Sequence, residues 1–211
     1  MNPHTTRHTG RTAAAALAIG AALLASGCRL PDPSAAASAD PGPAGLTVAP
    51  EDTGAHYDRD DWPHWSYHGR GCNTRELVLQ QQGSGVEVGK GCKPVAGTWT
   101  SRYDGATVTD PETLDVDHVV PLAEAARSGA RTWSEAERER YANDPAVLVV
   151  VTARSNRAKG DQDPAEWLPD RDRCGYVRQW TETKRRYALT ADPAEAEAIR
   201  AVLSRCGGDG R

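Results

Sequence analysis

Three polar side chains stand beside predicted strands and a helix, in an arrangement that could perform hydrolysis. Asp117-His118 lies in residues 114–120, a short run with β-branched residues that we interpret as a strand ending near the histidine. Asn156 opens a predicted helix, residues 153–159, directly after the apolar run 146–152. A carboxylate binds a hard cation, the neighbouring imidazole takes a proton from water, and an amide oxygen completes the metal site. The spacing therefore indicates metal-assisted hydrolysis.

Each of these residues also has a simpler interpretation. Asp117 and His118 could form an ordinary ion pair at the end of a strand, and Asn156 could cap its helix. Asn143-Asp144, which precedes the second strand, could be only a turn. The order of a strand, a connecting segment, a second strand and a helix favours the interpretation as a site for metal-assisted hydrolysis.

Other elements must hold these strands in place. Residues 62–99 are punctuated by glycine, so we expect irregular structure there, with one helix over 74–82. Residues 122–141 have helical composition. Two matched tetrapeptides, Asp163-Pro164-Ala165-Glu166 and Asp192-Pro193-Ala194-Glu195, predict two helix starts. Between them lies a stripe at helical spacing that predicts the buried face of a helix: Tyr176, Val177, Trp180, Lys184 and Tyr187.

The composition limits the classes of protein to which the chain can belong. Its 211 residues include 25 Lys and Arg against 29 Asp and Glu, a formal charge of −4. This acid excess argues against binding of nucleic acid by bulk electrostatics alone. With 38% hydrophobic and 26% charged residues, the chain reads as a soluble globular protein and not as a multi-span membrane protein.

The amino terminus reads as an export signal. Residues 1–27 contain basic residues and no acid, then an apolar run too short to span a bilayer comfortably, then small residues before Cys28. This pattern predicts a lipoprotein signal peptide with lipidation at Cys28 and a cell-membrane location facing outward; plain secretion is the alternative. Removal of residues 1–27 takes two arginines and no acid, which changes the formal charge from −4 to −6. Residues 28–55 are predicted to be a disordered tether and residues 56–211 the folded domain.

Four further cysteines remain in a chain predicted to be exported, so disulfides are expected. They are Cys72, Cys92, Cys174 and Cys206. Zinc is the rival interpretation, but no pair has the close spacing of zinc ligands. Three pairings are open, and sequence proximity favours Cys72 with Cys92 and Cys174 with Cys206.

The residues around Asp117 and Asn156 give the chain a resemblance to a known family. Asp117-His118 with Pro121, then Asn143, then Asn156 with Lys159-Gly160 look like the HNH endonucleases of the ββα-metal type. The wider chain resembles exported actinobacterial HNH nucleases related to the carboxyl-terminal domain of GmrSD-type restriction enzymes. This resemblance includes Tyr57-Asp58-Arg59 and Trp167-Leu168-Pro169. It implies an α+β fold with a ββα-metal (His-Me finger) core at about residues 114–160, additional helices and two disulfides.

The resemblance also implies roles for single residues. His118 would be the general base, Asp117 and Asn156 the protein ligands of one divalent cation, and Asn143 the residue that holds the loop aiming His118. The expected cation is Mg²⁺, and Mn²⁺ is the alternative. We further expect Lys159, Arg157 and Arg75 to contact substrate phosphates, with solvated side chains as the simpler interpretation.

The expected function is therefore a metal-dependent endonuclease that cuts DNA, and RNA as an additional substrate, with little sequence specificity and leaves 5′ phosphates. We expect a monomer whose partners are DNA and, through Cys28, a membrane; no protein partner is implied. The alternative is a non-catalytic envelope lipoprotein that binds nucleic acid or a protein.

Overall fold

The computed structural model describes residues 42–206. The predicted signal peptide, Cys28 and most of the predicted tether lie outside this range. The described residues form a mixed α+β domain with two disulfides, seven strands and six α-helices. The strands are β1 Tyr67–Gly69, β2 Cys72–Asn73, β3 Ser84–Val88, β4 Pro94–Thr100, β5 Thr107–Val108, β6 Leu114–His118 and β7 Leu148–Thr152. The helices are α1 Thr74–Gln82, α2 Leu122–Arg127, α3 Glu135–Ala142, α4 Ala153–Lys159, α5 Arg173–Arg186 and α6 Pro193–Leu203.

The strands of the described region pair only antiparallel, in three small sheets: β1 with β2, β3 with β4 and β5, and β6 with β7. The pair that carries the candidate site is β6–β7, which runs without a bulge from Leu114 opposite Thr152 to His118 opposite Leu148. Residues 148–151 are each no more than 3% exposed, as expected for a strand that is apolar on both faces.

Helix α4 follows β7 directly and packs against both strands of the pair. It begins where the Thr152 hydroxyl accepts a hydrogen bond from Ser155 N, at 3.2 Å, and ends at Gly160, whose φ of 57° favours glycine. These boundaries match the predicted helix 153–159. The order strand, excursion, strand and helix is confirmed, and it brings the carboxyl end of β6 next to α4.

Helix α1 supports β7 from the other side. Its boundaries are those predicted, and a capping box of Asn73 and Glu76 fixes its start. At its last residue, the Gln82 amide nitrogen donates to Leu148 O at 3.0 Å, and its oxygen accepts from Val150 N at 2.8 Å. Gln82 therefore satisfies backbone groups of β7 that have no strand partner.

Both disulfides have the pairing that sequence proximity favours. Cys72–Cys92 joins β2 to the turn before β4, and Cys174–Cys206 joins the first turn of α5 to the chain after α6. The bridges close loops of 20 and 32 residues, each worth about 3 kcal/mol in the chain-entropy account.

Three expectations about local structure are wrong. Residues 62–99 are not irregular outside α1, because they contain β1 to β4; their glycines flank the strands instead of preventing them. Residues 42–53, which composition assigns to the tether, pack on the domain: Leu46 is 2% exposed and Ala49 N donates to Ala191 O. The tetrapeptide at Asp163 forms a turn and no helix, because Pro169 disfavours helical backbone at Leu168.

The other tetrapeptide does start a helix, α6, with a capping box of Asp192 and Glu195. The predicted stripe lies on α5, where Tyr176, Val177, Trp180 and Lys184 are buried. No helix in the described part of the chain combines the length and apolar composition needed to cross a membrane.

Candidate active site

Four of the residues predicted from the sequence line one cleft of about 390 Å³. They are Asp117, His118, Asn156 and Arg157. The first two come from the end of β6 and the other two from α4, so the packing of this helix on the strand pair creates the site. Tyr57 and Arg59, from the segment before β1, also line the cleft.

His118 is buried, and two aromatic rings lie nearly parallel to its imidazole. Trp65 stacks on it with ring centroids 5.9 Å apart, and Tyr141 lies near parallel at 6.2 Å. Its Nε2 is 2.9 Å from the carbonyl oxygen of Ala142, which can only accept, so Nε2 carries the proton. Nδ1 of the neutral ring is therefore the acceptor, as a general base requires.

Burial lowers the pKa of His118 to about 3, and the positive charges of Lys159 and Arg59 also lower it. The hydrogen bond to the Ala142 carbonyl has the opposite effect and raises the pKa. The imidazole is therefore neutral at physiological pH. A phosphate placed in the cleft would add negative charge beside the ring and raise this pKa.

Asn143 does not line this cleft; it directly follows Ala142, whose carbonyl contacts His118. Its side chain uses its hydrogen-bonding capacity on groups from α3 and from the segment around β1. The Nδ2 donates to Pro63 O and Glu139 O, and the Oδ1 accepts from Ser66 N and Thr74 Oγ1, all at 2.7–2.8 Å. These bonds fix the end of α3, and with it the Ala142 carbonyl that sets the proton position on His118.

Asp117 is held from two sides. The Tyr103 hydroxyl donates to Oδ2 at 2.6 Å, and the Lys159 ammonium contacts Oδ2 at 2.8 Å and Oδ1 at 3.0 Å. Lys159 also donates to His118 O at 3.0 Å. Burial raises the pKa of Asp117 and lowers the pKa of Lys159, while the ion pair between them opposes both shifts.

The environment of Lys159 argues against its predicted contact with phosphate. Its side chain is 0% exposed and does not border the cleft, because Asp117 and the backbone of β6 use its ammonium. Arg75 also lies elsewhere, donating to Leu114 O at the opposite end of β6. Arg157 is the one of the three predicted phosphate contacts that the structure brings to the cleft.

The donor atoms at the cleft fit a hard cation. Three hydrogen bonds to Asp117 leave a lone pair of its carboxylate unused, since a carboxylate offers about four. Asn156 donates its Nδ2 to Asp115 Oδ2 at 3.0 Å, and its Oδ1 accepts from no group in residues 42–206. An Asp oxygen and an amide oxygen facing one cleft are ligands of the kind that Mg²⁺ or Mn²⁺ takes.

A second group of acids lies outside this cleft. Oxygens of Glu51, Asp163 and Asp192 lie within 4.8 Å of one another. Arg127 is paired with Glu51, and the two aspartates accept backbone hydrogen bonds of a turn and of the start of α6. Local structure explains each of these contacts.

The sequence did not identify several contributors to the site. Tyr103 and Trp65 contact Asp117 and His118 from distant parts of the chain, and no local periodicity marks either residue. Arg59 had a signal, because the family-like stretch Tyr57-Asp58-Arg59 contains it, but nothing in that stretch places it near His118.

Comparisons with known proteins agree with the resemblance at the family level. No solved structure matches the chain. An uncharacterized secreted protein of Arthroderma benhamiae is 42% identical over 167 residues, covering 77% of this chain and 82% of the relative. This relative is fungal, so such sequences are not confined to actinobacteria.

The family of GmrSD restriction endonucleases, C-terminal domain, matches residues 92–202, just over half of the chain. This range contains β6, β7 and α4, and hence Asp117, His118, Asn143 and Asn156. It begins after Tyr57, Arg59 and Trp65. The chain therefore belongs to the family of the GmrSD restriction endonuclease C-terminal domain, which is nuclease-related.

Proposed function

We propose that the protein is a metal-dependent endonuclease of the HNH type, in which β6, β7 and α4 form a ββα-metal core. The observation that carries this proposal is one cleft lined by His118, whose Nδ1 is an acceptor, by Asp117, whose carboxylate keeps an unused lone pair, and by Asn156, whose amide oxygen has no donor among the described residues. The substrate class is DNA, with RNA as an additional substrate, because a nuclease that contacts the phosphate backbone need not read the bases.

In this mechanism His118 Nδ1 takes a proton from a water molecule while the water oxygen attacks phosphorus. The bond from phosphorus to the 3′ oxygen breaks, the leaving oxygen takes a proton from solvent water, and His118 returns its proton to solvent, which gives a 5′ phosphate and a 3′ hydroxyl. A divalent cation held by Asp117 and Asn156 would neutralise charge on the phosphate and stabilise the leaving oxygen. Asn143 positions His118 through the Ala142 carbonyl, and Tyr103 and Lys159 orient Asp117.

The experiment is cleavage of supercoiled plasmid by the mature chain with Mg²⁺, with Mn²⁺ and with chelator. We expect nicking that requires a divalent cation and that falls by about 10²- to 10⁴-fold in His118→Ala, the usual contribution of a general base. His56→Ala is the matched control, because the side chain of this histidine is 79% exposed and its one ion pair among residues 42–206 is with Asp61.

End-labelled oligonucleotides would identify the product termini. Clean protein that fails to cut with any of several divalent ions would remove the enzyme proposal. Metal-independent DNA binding that His118→Ala leaves intact, with no turnover in the parent, would favour the non-catalytic lipoprotein instead.

Export is part of the same proposal. The apolar run before Cys28 supports it, as does the similarity to a fungal protein described as secreted. Lipidation at Cys28 rests on the residues before the cysteine, since that part of the chain lies outside the described residues.

A further inference from the structure

Two arginines at the cleft have free guanidinium groups. Among residues 42–206, neither Arg59 nor Arg157 forms an ion pair or a side-chain hydrogen bond, although both line the cleft of His118 and both are exposed. Several other arginines of the described region are paired, for example Arg102 with Asp172 and Arg131 with Asp52. Other described arginines, such as Arg140 and Arg205, are unpaired too, so what distinguishes Arg59 and Arg157 is that they are unpaired and line the cleft of His118. An unpaired guanidinium retains its full capacity for an anion.

The two arginines come from different parts of the chain. Arg157 lies on α4, and the sequence already suggested that it contacts phosphate. Arg59 begins a single 3-10 turn, Arg59–Asp61, about 55 residues before β6 along the chain. The cleft thus has one guanidinium from the family-matched region and one from outside it.

The backbone that carries Arg59 is well anchored. Asp58 accepts from Asp60 N at 3.0 Å, and Trp62 N donates to Arg59 O at 3.1 Å. Trp62 is 2% exposed and packs on Tyr141, the residue that also lies against His118. Since the turn is fixed through the same aromatic cluster as the base, Arg59 is held near the site before any ligand arrives.

Acidic residues surround Arg59 in the sequence, and their negative charge favours weak, reversible binding of a phosphate. Its neighbours Asp58, Asp60 and Asp61 are acids, but none is within ion-pair distance of its guanidinium. They lower the attraction of the surface for distant phosphates while leaving the fork of N–H donors free for one phosphate in the cleft.

We propose that Arg59 binds the phosphate attacked at His118, together with Arg157, so that the segment before β1 completes a phosphodiester site. This inference rests on the proposed nuclease function. It assigns a substrate-binding role to a residue outside the matched region 92–202 and means that the matched region alone lacks one side of its active site.

The test compares Arg59→Ala, Arg59→Lys and Arg157→Ala in the mature chain with both disulfides formed. The control is Arg205→Ala, which removes the same charge from an exposed arginine that does not line the cleft. We expect kcat/KM on a labelled duplex to fall on the order of 10- to 100-fold in either cleft variant, the value of one charge-assisted contact. Arg59→Lys should recover part of the loss, because an ammonium keeps the charge but not the fork.

A second readout separates phosphate contact from a structural effect. In a His118→Ala background, the slope of log Kd against log salt for the same duplex should decrease by about one when Arg59 is removed. Arg205→Ala should leave this slope unchanged. Melting temperatures of all variants should match the parent, since neither guanidinium has a partner to lose.

The outcomes are distinguishable. Turnover by the parent with equal kcat/KM and equal salt slopes in Arg59→Ala and Arg205→Ala would overturn the role of Arg59 and leave the nuclease proposal intact. Absence of turnover in the parent with every divalent ion would overturn both. A selective loss in Arg59→Ala, partly restored by lysine and with a reduced slope, supports the inference.

Discussion

Two lysines of this domain, Lys159 and Lys184, are completely buried, and they lie in different surroundings. Lys159 contacts one carboxylate, Asp117, which borders the candidate active-site cleft. Lys184 contacts two carboxylates, Glu124 and Glu195, each at 2.6 Å and each 0% exposed. Both are buried ion pairs, but only one of them has a side open to a ligand.

The region around Lys184 is closed on all sides by protein. Its ammonium also donates to Ser128 Oγ and Thr190 O, while Ser128 and Arg127 donate to Glu124, and Trp180 donates to Glu195. These bonds tie α2, α5 and α6 together, and no oxygen of either glutamate faces a cleft. The network therefore specifies how helices pack.

The region around Lys159 uses the same chemistry differently. Tyr103 and Lys159 restrict the orientation of Asp117, but one lone pair of its carboxylate and the Asn156 oxygen remain free beside His118. The ion pairs of Lys184 are enclosed by protein and stabilise the packing of helices. The ion pair of Lys159 instead orients Asp117, whose carboxylate keeps a lone pair that a ligand in the cleft can use. Variants of the two lysines should separate these roles.

The largest effect is expected at Lys184. Lys184→Met should destabilise the domain by about 3–5 kcal/mol, because it leaves the buried carboxylate of Glu195 without a cation and that of Glu124 with Arg127 alone. Denaturant unfolding monitored by tryptophan fluorescence would measure the shift in midpoint. Replacing Glu124 and Glu195 by Gln in the same chain should restore part of the stability, since no uncompensated charge remains. A decrease of less than about 1 kcal/mol in the free energy of unfolding would show that the network contributes little to stability.

Lys159→Met should instead act on activity and on cation binding. If the protein is the proposed nuclease, we expect cleavage to fall on the order of 10- to 100-fold, the usual effect of removing a residue that orients a metal ligand. Because Asp117 loses its neutralising charge, Mn²⁺ should raise the melting temperature of Lys159→Met by more than it raises that of the parent.

The control for this cation effect is the double variant Lys159→Met with Asp117→Asn, which should lose the additional Mn²⁺ response. Lys184→Met should show no additional response, because its glutamates are enclosed. Equal Mn²⁺ responses in the two lysine variants would contradict the distinction between an open and a closed carboxylate.

The sequence predicted the parts of this comparison that local patterns determine. Strands β6 and β7 and helix α4 follow from β-branched runs and helix signals, so the meeting of Asp117, His118 and Asn156 could be foreseen. Lys184 was already part of the predicted buried stripe of α5. The burial of Lys159 was not foreseeable, because a lysine at the end of a short helix is usually solvated and only tertiary contacts bury it.

The two Asp-Pro-Ala-Glu tetrapeptides show why local signals are insufficient. Both offer a cap, a proline for the first turn and a glutamate three residues later. After Asp192 the chain continues with helix-forming residues, and Glu195 is fixed by Lys184, so α6 forms. After Asp163 the chain reaches Trp167-Leu168-Pro169, Glu166 stays exposed, and the tetrapeptide forms a turn.

The smallest predicted effect is a pH dependence of opposite sign in the two regions. Burial raises the pKa of Glu195 from 4.5 to about 7, against the opposing charge of Lys184, and burial lowers that of His118 from 6.5 to about 3. As pH falls below about 7, folded Glu195 gains a proton that the unfolded chain does not yet bind, which stabilises the fold. Below about pH 6.5 the unfolded chain protonates its histidine while folded His118 resists, which destabilises it.

Between about pH 7.5 and pH 5.5 these two contributions partly cancel in the parent, so variants are needed to separate them. Glu195→Gln should lose about 1–2 kcal/mol more than the parent over this interval, and His118→Ala should lose less than the parent by a similar amount. Unfolding free energies of the three proteins at both pH values provide the measurement. If both variants lost more stability than the parent between the two pH values, or both lost less, the two regions would not respond oppositely to protons. Opposite signs would show that burial favours the protonated, neutral carboxyl in one region and the unprotonated, neutral base in the other.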